Sequence, residues 1–178
     1  MENYQELTEK KIRLSFPTEL EALKYDQTIF YRNQIAAMIQ NTKAVDYIVK
    51  DNDKLIFIEI SDYRGQTPPP HGDLVDEVMQ KVKDSIVGLF SAKINTEQEL
   101  LKYAELLFNC EMKEFIIIFV LEEDSTRLNN SKSKRANMTQ RLRLRLQSIF
   151  KAQLYICDCS DFQLIPNIDF KIEYIGMV

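Results

Sequence analysis

The stretch "KLIFIEISDYRG", Lys54–Gly65, decides how the rest of the chain is read. From Leu55 to Ile60 every position except Glu59 is apolar, and the residues are mostly β-branched or aromatic. That composition predicts a strand. Because both alternating sets are apolar, it also predicts burial on both faces. Upstream, "AVDYIV" (44–49) is a second β-rich run, and "KDND" (50–53) between them reads as a hairpin turn. Alternation puts Asp46, Ile48 and Lys50 on one face of the first strand, and Phe57, Glu59 and Ser61 on one face of the second. The hairpin can therefore bring Asp46 and Glu59 side by side. Two carboxylates held close repel, which raises a pKa unless a cation lies between them, and a hard divalent ion is the natural partner. The spacing fits equally a strand that begins at one acid and ends, solvated, at another.

Working outward, "RGQTPPPHG" (64–72) is a breaker segment stiffened by Pro68, Pro69 and Pro70. In "DLVDEVMQKVKDSIVGLFSA" (73–92), Val75, Val78, Met79, Val82, Ile86 and Leu89 recur at helical spacing. Thr96 and Glu99 have the form of a capping box ahead of a second helix in "LLKYAELLF" (100–108). "EFIIIFVLEED" (114–124) is a continuous apolar run, the mark of a strand buried on both faces. "STRLNNSKSKRAN" (125–137) is polar and reads as a loop. In "MTQRLRLRLQSIFK" (138–151), Met138, Leu142, Leu146 and Ile149 favour a helix that spreads Arg141, Arg143 and Arg145 over its exposed side. "AQLYICDC" (152–159) and "FKIEYIGMV" (170–178) read as strands. Near the N-terminus, Ser15-Phe16-Pro17-Thr18 has the pattern of a helix entry, with Glu19 and Glu21 following. Ile35, Met38 and Ile39 keep helical spacing. This order predicts an α/β fold, a mixed central sheet flanked by helices, in one domain over 1–178.

Composition narrows the chemistry. The chain has 178 residues, 45% hydrophobic and 28% charged, enough to bury a core. It contains no apolar run of ~18 residues, which excludes a membrane-spanning helix, and its charged N-terminus lacks a signal-peptide core. Cys110, Cys157 and Cys159 have no metal-type spacing, and point to reduced thiols in a cytoplasmic protein. The one histidine, His71, adjoins the prolines, so zinc or histidine-based nucleophilic chemistry has little to build on and carboxylates must carry any reaction. Net charge is −4, yet residues 125–157 hold eight Lys or Arg and no acid. The remainder has 15 bases against 27 acids. Such a split permits a polyanion on one face.

The hairpin together with "GDLVDEVMQKVKDSIVGLFSA" (72–92) resembles the PD-(D/E)XK superfamily, the restriction-endonuclease-like nucleases. More narrowly it is similar to a group of small bacterial proteins with a "D…FIEVKD-(F/Y)RG" core and a following "VAQKVRD" helix. The match is close over about residues 44–90, and the later strand–helix–strand order agrees loosely. The resemblance implies a restriction-endonuclease-like αβββαβ core with an added helix and C-terminal strand. It further implies a Mg²⁺- or Mn²⁺-dependent nuclease, acting on DNA more than on RNA. Asp46 and Glu59 match the motif acids that bind metal, and the Ile60 backbone carbonyl matches a further ligand. An additional acid from the first helix would be Glu19 or Glu21. Gln80 matches a polar position bordering such sites. Ser61 departs from the motif, which has lysine there to position the attacking water and offset charge. Lys83 on the following helix is the expected substitute, with Lys81 directed to another side. Without a substitute, the implied protein is a catalytically inactive binding or assembly module. Arg64, Lys132, Lys134, Arg135, Arg141, Arg143 and Arg145 are the expected phosphate contacts, although a salt bridge with Asp62 competes for Arg64.

Overall fold

The computed structural model describes residues 3–109, 112–124 and 131–176; the side chains of 71, 131, 132 and 147–149 lie outside that description. Among the described residues eight strands form two sheets. Strands β1 (Tyr4–Glu9), β2 (Ile12–Pro17) and β8 (Lys171–Tyr174) make an antiparallel sheet in the order β1-β2-β8. The central sheet has the order β3-β4-β5-β6-β7, from β3 (Glu21–Lys24), β4 (Tyr47–Asp51), β5 (Lys54–Asp62), β6 (Glu114–Glu122) and β7 (Gln153–Cys157). β3, β4 and β5 are antiparallel neighbours, and β5, β6 and β7 run parallel. The expected α/β fold with a mixed sheet is the observed one.

Helices α2 (His71–Ile94), α3 (Leu101–Leu107) and α4 (Ser131–Phe150) cover one face, burying Val75, Val78, Val82, Leu89, Met138 and Leu142 against Ile48, Phe57 and Phe119. The three-stranded sheet covers the other, where Ile12, Leu14 and Phe16 meet Tyr47, Ile58 and Ile118. This sandwich explains why β5 and β6 carry apolar residues at nearly every position. Both faces are dry.

Several expectations need correction. Ser15-Phe16-Pro17-Thr18 does not open a helix. Ile12, Leu14 and Phe16 are fully buried while Arg13, Ser15 and Pro17 are half-buried, a period of two that belongs to β2, with proline at the strand's end. The helical spacing at Ile35 gives a π turn (Tyr31–Ile35) and a short α1 (Ala36–Met38), and only Ile35 of the three apolar residues is buried. Thr96 and Glu99 form no capping box. Thr96 takes φ 55°, its N–H bonds to the Lys93 carbonyl, and the Glu97 N–H reaches Ala92 at 2.9 Å. That pair of bonds is a Schellman stop ending α2, and α3 starts later without a side-chain cap. Residues 131–137 are the first two turns of α4 rather than loop, whereas 125–130 lie outside the described residues.

Gly88 on α2 marks a close approach. A Cβ there would overlap the hydroxyl of Tyr25, which is fully buried with no hydrogen-bond partner among the described residues. Gly88→Ala is expected to lower stability by about 1–3 kcal/mol through overpacking. In a Tyr25→Phe background the hydroxyl is gone, and the same substitution should become neutral or stabilise by up to ~1 kcal/mol through helix propensity. Urea denaturation of the four proteins in the cycle measures this coupling.

Candidate carboxylate–lysine site

The hairpin register pairs Tyr47 with Ile58 and Ile48 with Phe57, which carries Asp46, just before β4, to the level of Glu59. Asp46 Oδ2 accepts the Ile60 N–H at 2.7 Å. The two side chains share the helix-covered face of the sheet and are nearly enclosed, Asp46 at 8% and Glu59 at 2% exposure. Helix α2 is tied to the segment that delivers Asp46. Ser85 Oγ accepts the Val45 N–H at 3.0 Å, and Asp84 Oδ2 accepts the Lys43 N–H at 3.1 Å. One turn before Ser85, Lys81 extends to Glu59, Nζ to Oε1 2.5 Å.

The expected substitute lysine is therefore the wrong one. Lys83 is 63% exposed and pairs with Asp84 at 3.5 Å, away from the carboxylates. Two helical positions rotate a side chain by ~200°, so Lys81 and Lys83 cannot share a target. The signal was present in the sequence. Lys81 lies three residues after Val78 and four before Ser85, flanking the buried stripe, whereas Lys83 follows the outer one. Gln80 donates to the Asn41 carbonyl at 2.7 Å and borders an outer cleft, not the acids. Ser61 is half-buried near the end of β5, two residues beyond Glu59 on the same strand face. The Ile60 backbone is joined to the site through its amide.

Neither Glu19 nor Glu21 supplies a third acid. Glu19 is exposed, and Glu21 is drawn to Lys102 and Lys50, whose hydrogen bonds hold its pKa below the usual range. The acid that does approach is Asp26, in the 3₁₀ turn Tyr25–Gln27, which is anchored by the Tyr25 N–H on the Asp46 carbonyl at 2.9 Å. Asp26 Oδ1 is buried without a hydrogen-bond partner among the described residues, as is Glu59 Oε2. No apolar periodicity marked this turn, so Asp26 was invisible to pattern.

Burial dominates the electrostatics. It raises Asp46 to about 6 against the pull of Lys81 and the Ile60 N–H, and Asp26 adds to the rise. Burial and the neighbouring Asp46 push Glu59 well above the ordinary carboxyl range. For Lys81, burial acts downward, but Glu59 and Asp46 outweigh it, so its pKa is raised and the ammonium persists. One lysine thus faces two enclosed carboxyl groups and a nearby third. Orphaned Glu59 Oε2, beside Asp46, fits a hard cation that takes one or two protein carboxylates and otherwise water. Among the described residues no group of three or more His, Cys, Asp or Glu side chains stands close enough to hold an ion. Any such cation would therefore rest on the Asp46–Glu59 pair.

The expected phosphate contacts divide. Arg135 is buried and paired with Asp158 at 2.8 Å and Asp161 at 3.4 Å, so it serves the fold. Arg64 forms a bidentate pair with Asp62, at 2.8 and 2.9 Å, and lies over the Tyr174 ring. Arg145 pairs with Asp76. Lys134, Arg141 and Arg143 are exposed on α4, and the Lys132 side chain lies outside the described residues. Cys157 is buried and Cys159 half-buried, both as free thiols, while Cys110 is outside the described residues.

No family model matches the chain, and no solved structure matches it. The chain is similar, at 25% identity over 163 residues, to the cysteine–tRNA ligase of Neisseria meningitidis serogroup A / serotype 4A. That match covers 74% of this chain and 23% of the ligase, so the chain spans under a quarter of the curated relative. Among the described residues no helix is long and apolar enough to cross a membrane.

The raised Asp46 pKa has a consequence for stability. Between its unfolded value near 3.8 and its folded value of about 6, the folded state holds more proton than the unfolded one, so stability falls as pH rises through that window. Asp46→Asn keeps an acceptor for the Ile60 N–H but never ionises. It is expected to be more stable than wild type at pH 8 by up to ~3 kcal/mol, with the two converging toward pH 4. Denaturant titrations across that range read the difference.

Proposed function

We propose that this site hydrolyses phosphodiesters with a divalent metal ion, as a nuclease whose lysine has moved from the strand to the helix. The observation that carries the proposal is the Lys81–Glu59 contact of 2.5 Å beside Asp46. It supplies an ammonium where Ser61 cannot, and it comes from the helix that follows the hairpin. Asp46 and Glu59 would hold Mg²⁺ or Mn²⁺, which supplies charge neutralisation at the phosphate and activation of water. Lys81 would place positive charge beside the reacting phosphate as negative charge builds. Burial raises the affinity of both carboxyls for a cation, since the alternative is a proton or an unbalanced charge. Lys134, Arg141 and Arg143 offer exposed charge for the sugar–phosphate backbone, which gives affinity without sequence choice. DNA is the first substrate class we assign. tRNA is the second to be tried, because the similar ligase is named for it. The free thiols suit a reducing compartment, and we place the chain in the cytoplasm.

A second reading has its own observation. Glu59 is 2% exposed and already engaged by Lys81, which fits a site sealed by an internal ion pair in a non-catalytic binding module. Cleavage and metal binding separate the two. With Mg²⁺ or Mn²⁺, wild type should cut plasmid DNA, oligonucleotides or tRNA. Glu59→Ala should abolish cleavage, Lys81→Met should slow it by roughly 10²–10³, and Lys83→Ala should leave it intact. Ser61→Lys in the Lys81→Met background should recover part of the loss. Saturating Mg²⁺ at pH 8 should stabilise wild type by about 2.7 kcal/mol at a hundredfold excess over Kd, read as a raised thermal midpoint, and leave Asp46→Asn unmoved. Metal stabilisation without cleavage favours the binding module. The absence of both effects would overturn the metal site itself and leave the sealed ion pair.

A further inference from the structure

The central sheet has two outer edges, and the fold treats them differently. At β3 the edge is covered. The Gln5 side chain reaches the Ala22 carbonyl at 3.4 Å, and Lys24 is held by the Thr8 carbonyl at 3.0 Å and by Glu9 at 2.7 Å. At β7 the edge is open, since among the described residues only β6 bonds to it. The strand carries none of the devices that blunt a free edge: no lysine, no proline and no break in register. Its outer backbone groups form the floor of a cleft of about 420 Å³. The walls come from opposite layers of the sandwich. Leu154 and Ile156 face α4, whose Ala136, Thr139 and Arg143 line one side. Tyr155 and Cys157 face the 3₁₀ turn Phe162–Leu164, where Leu164, 74% exposed, and the following Ile165 line the other.

We propose that β7 takes up an extended acidic peptide of another protein as a sixth strand of the central sheet. A strand edge selects polypeptide, because an extended backbone offers donors and acceptors at the repeat of the ladder. Charge selects the kind of polypeptide. From Ser131 to Phe150, α4 contains no acidic residue. Arg143, on the wall of the cleft, is exposed and enters no salt bridge among the described residues. Further along the same wall Arg135 is buried, with its Nε unpartnered among the described residues. Asp161, the one acid lining the cleft among them, is drawn to that arginine at 3.4 Å. Side chains of an added strand alternate between the two walls. One set meets Thr139 and Arg143 and takes carboxylates; the other meets Leu164 and Ile165 and takes apolar groups. The same charge disfavours a second copy of this chain. Two β7 strands paired antiparallel about a two-fold axis would bring two basic α4 helices side by side.

Fluorescence anisotropy of the full chain with fluorescein-labelled EVEVEV-amide, at neutral pH and low salt, tests this. The expected result is saturable binding with a Kd below ~1 mM. Arg143→Glu and Leu164→Asp should each raise that Kd at least ~10-fold, with circular dichroism and thermal midpoint checked to show the fold intact. KVKVKV-amide should prefer Arg143→Glu to wild type. Two further EVEVEV peptides, each N-methylated on one alternate set of amides, leave the protein itself untouched. One should lose binding and the other keep it, because alternate residues of a strand bond to alternate sides. Equal binding of the two would mean a charge contact open to any polyanion, nucleic acid included, and overturns the proposal. So does the absence of binding up to ~1 mM, or a homodimer in sedimentation that Leu164→Asp dissolves.

Discussion

Strand β5 is hemmed in on all four sides, and the molecule is arranged around that constraint. β4 and β6 bond to its two edges, helices cover one face and the three-stranded sheet covers the other. A strand so placed must be apolar in both alternating sets, and any polar side chain on it must find a partner inside the protein. Glu59 is the one position that breaks the rule within the buried span. Its charge sets the demand that Lys81 and Asp46 meet.

The partners are delivered by rigid elements. Asp46 arrives through the hairpin register and is fixed by the Ile60 N–H. Lys81 arrives on α2, whose height against the sheet is set by the hydrogen bonds from residues 43 and 45 to Asp84 and Ser85. Asp26 arrives on a turn that leans on the Asp46 carbonyl. Charges assembled by packed strands and helices cannot move back to water, so their burial, and after it the repulsion between carboxyls, appears as raised pKa rather than being relieved by movement. Buried pairs of this kind contribute little net stability, because desolvation offsets their attraction. Their retention makes sense as chemistry or as a switch, and a cation is the simplest species that would lower the cost.

Charge elsewhere is used for the fold. Most of the arginines expected to meet phosphate are occupied: Arg135 by Asp158 and Asp161, Arg64 by Asp62 and Tyr174, Arg145 by Asp76. The basic stretch is therefore less of an open patch than its composition implies. What remains outward on α4 is narrow, while α2 turns Val87, Phe90 and Ile94 outward. The two helices present different kinds of surface to whatever the protein meets.

The hairpin, the buried β6 strand and the α2 and α4 periodicities were legible in the sequence, because these rest on patterns within single elements; alternation allowed Asp46 to face Glu59, and the hairpin register realised it. The sequence misjudged β2, where a short alternation of Ile12, Leu14 and Phe16 was overshadowed by a proline and two acids. It also misplaced the start of α3, since a left-handed stop at Thr96 looks like a cap in one dimension. Tertiary structure brought in Asp26 and withdrew Arg135, and it set the rotation of α2 that turns Lys81 rather than Lys83 to Glu59. Each of those choices depends on the rotation of a helix about its axis or on the path of a turn. Rotation and path are set by which stripe finds a core to bury, and a core exists only once distant segments have met.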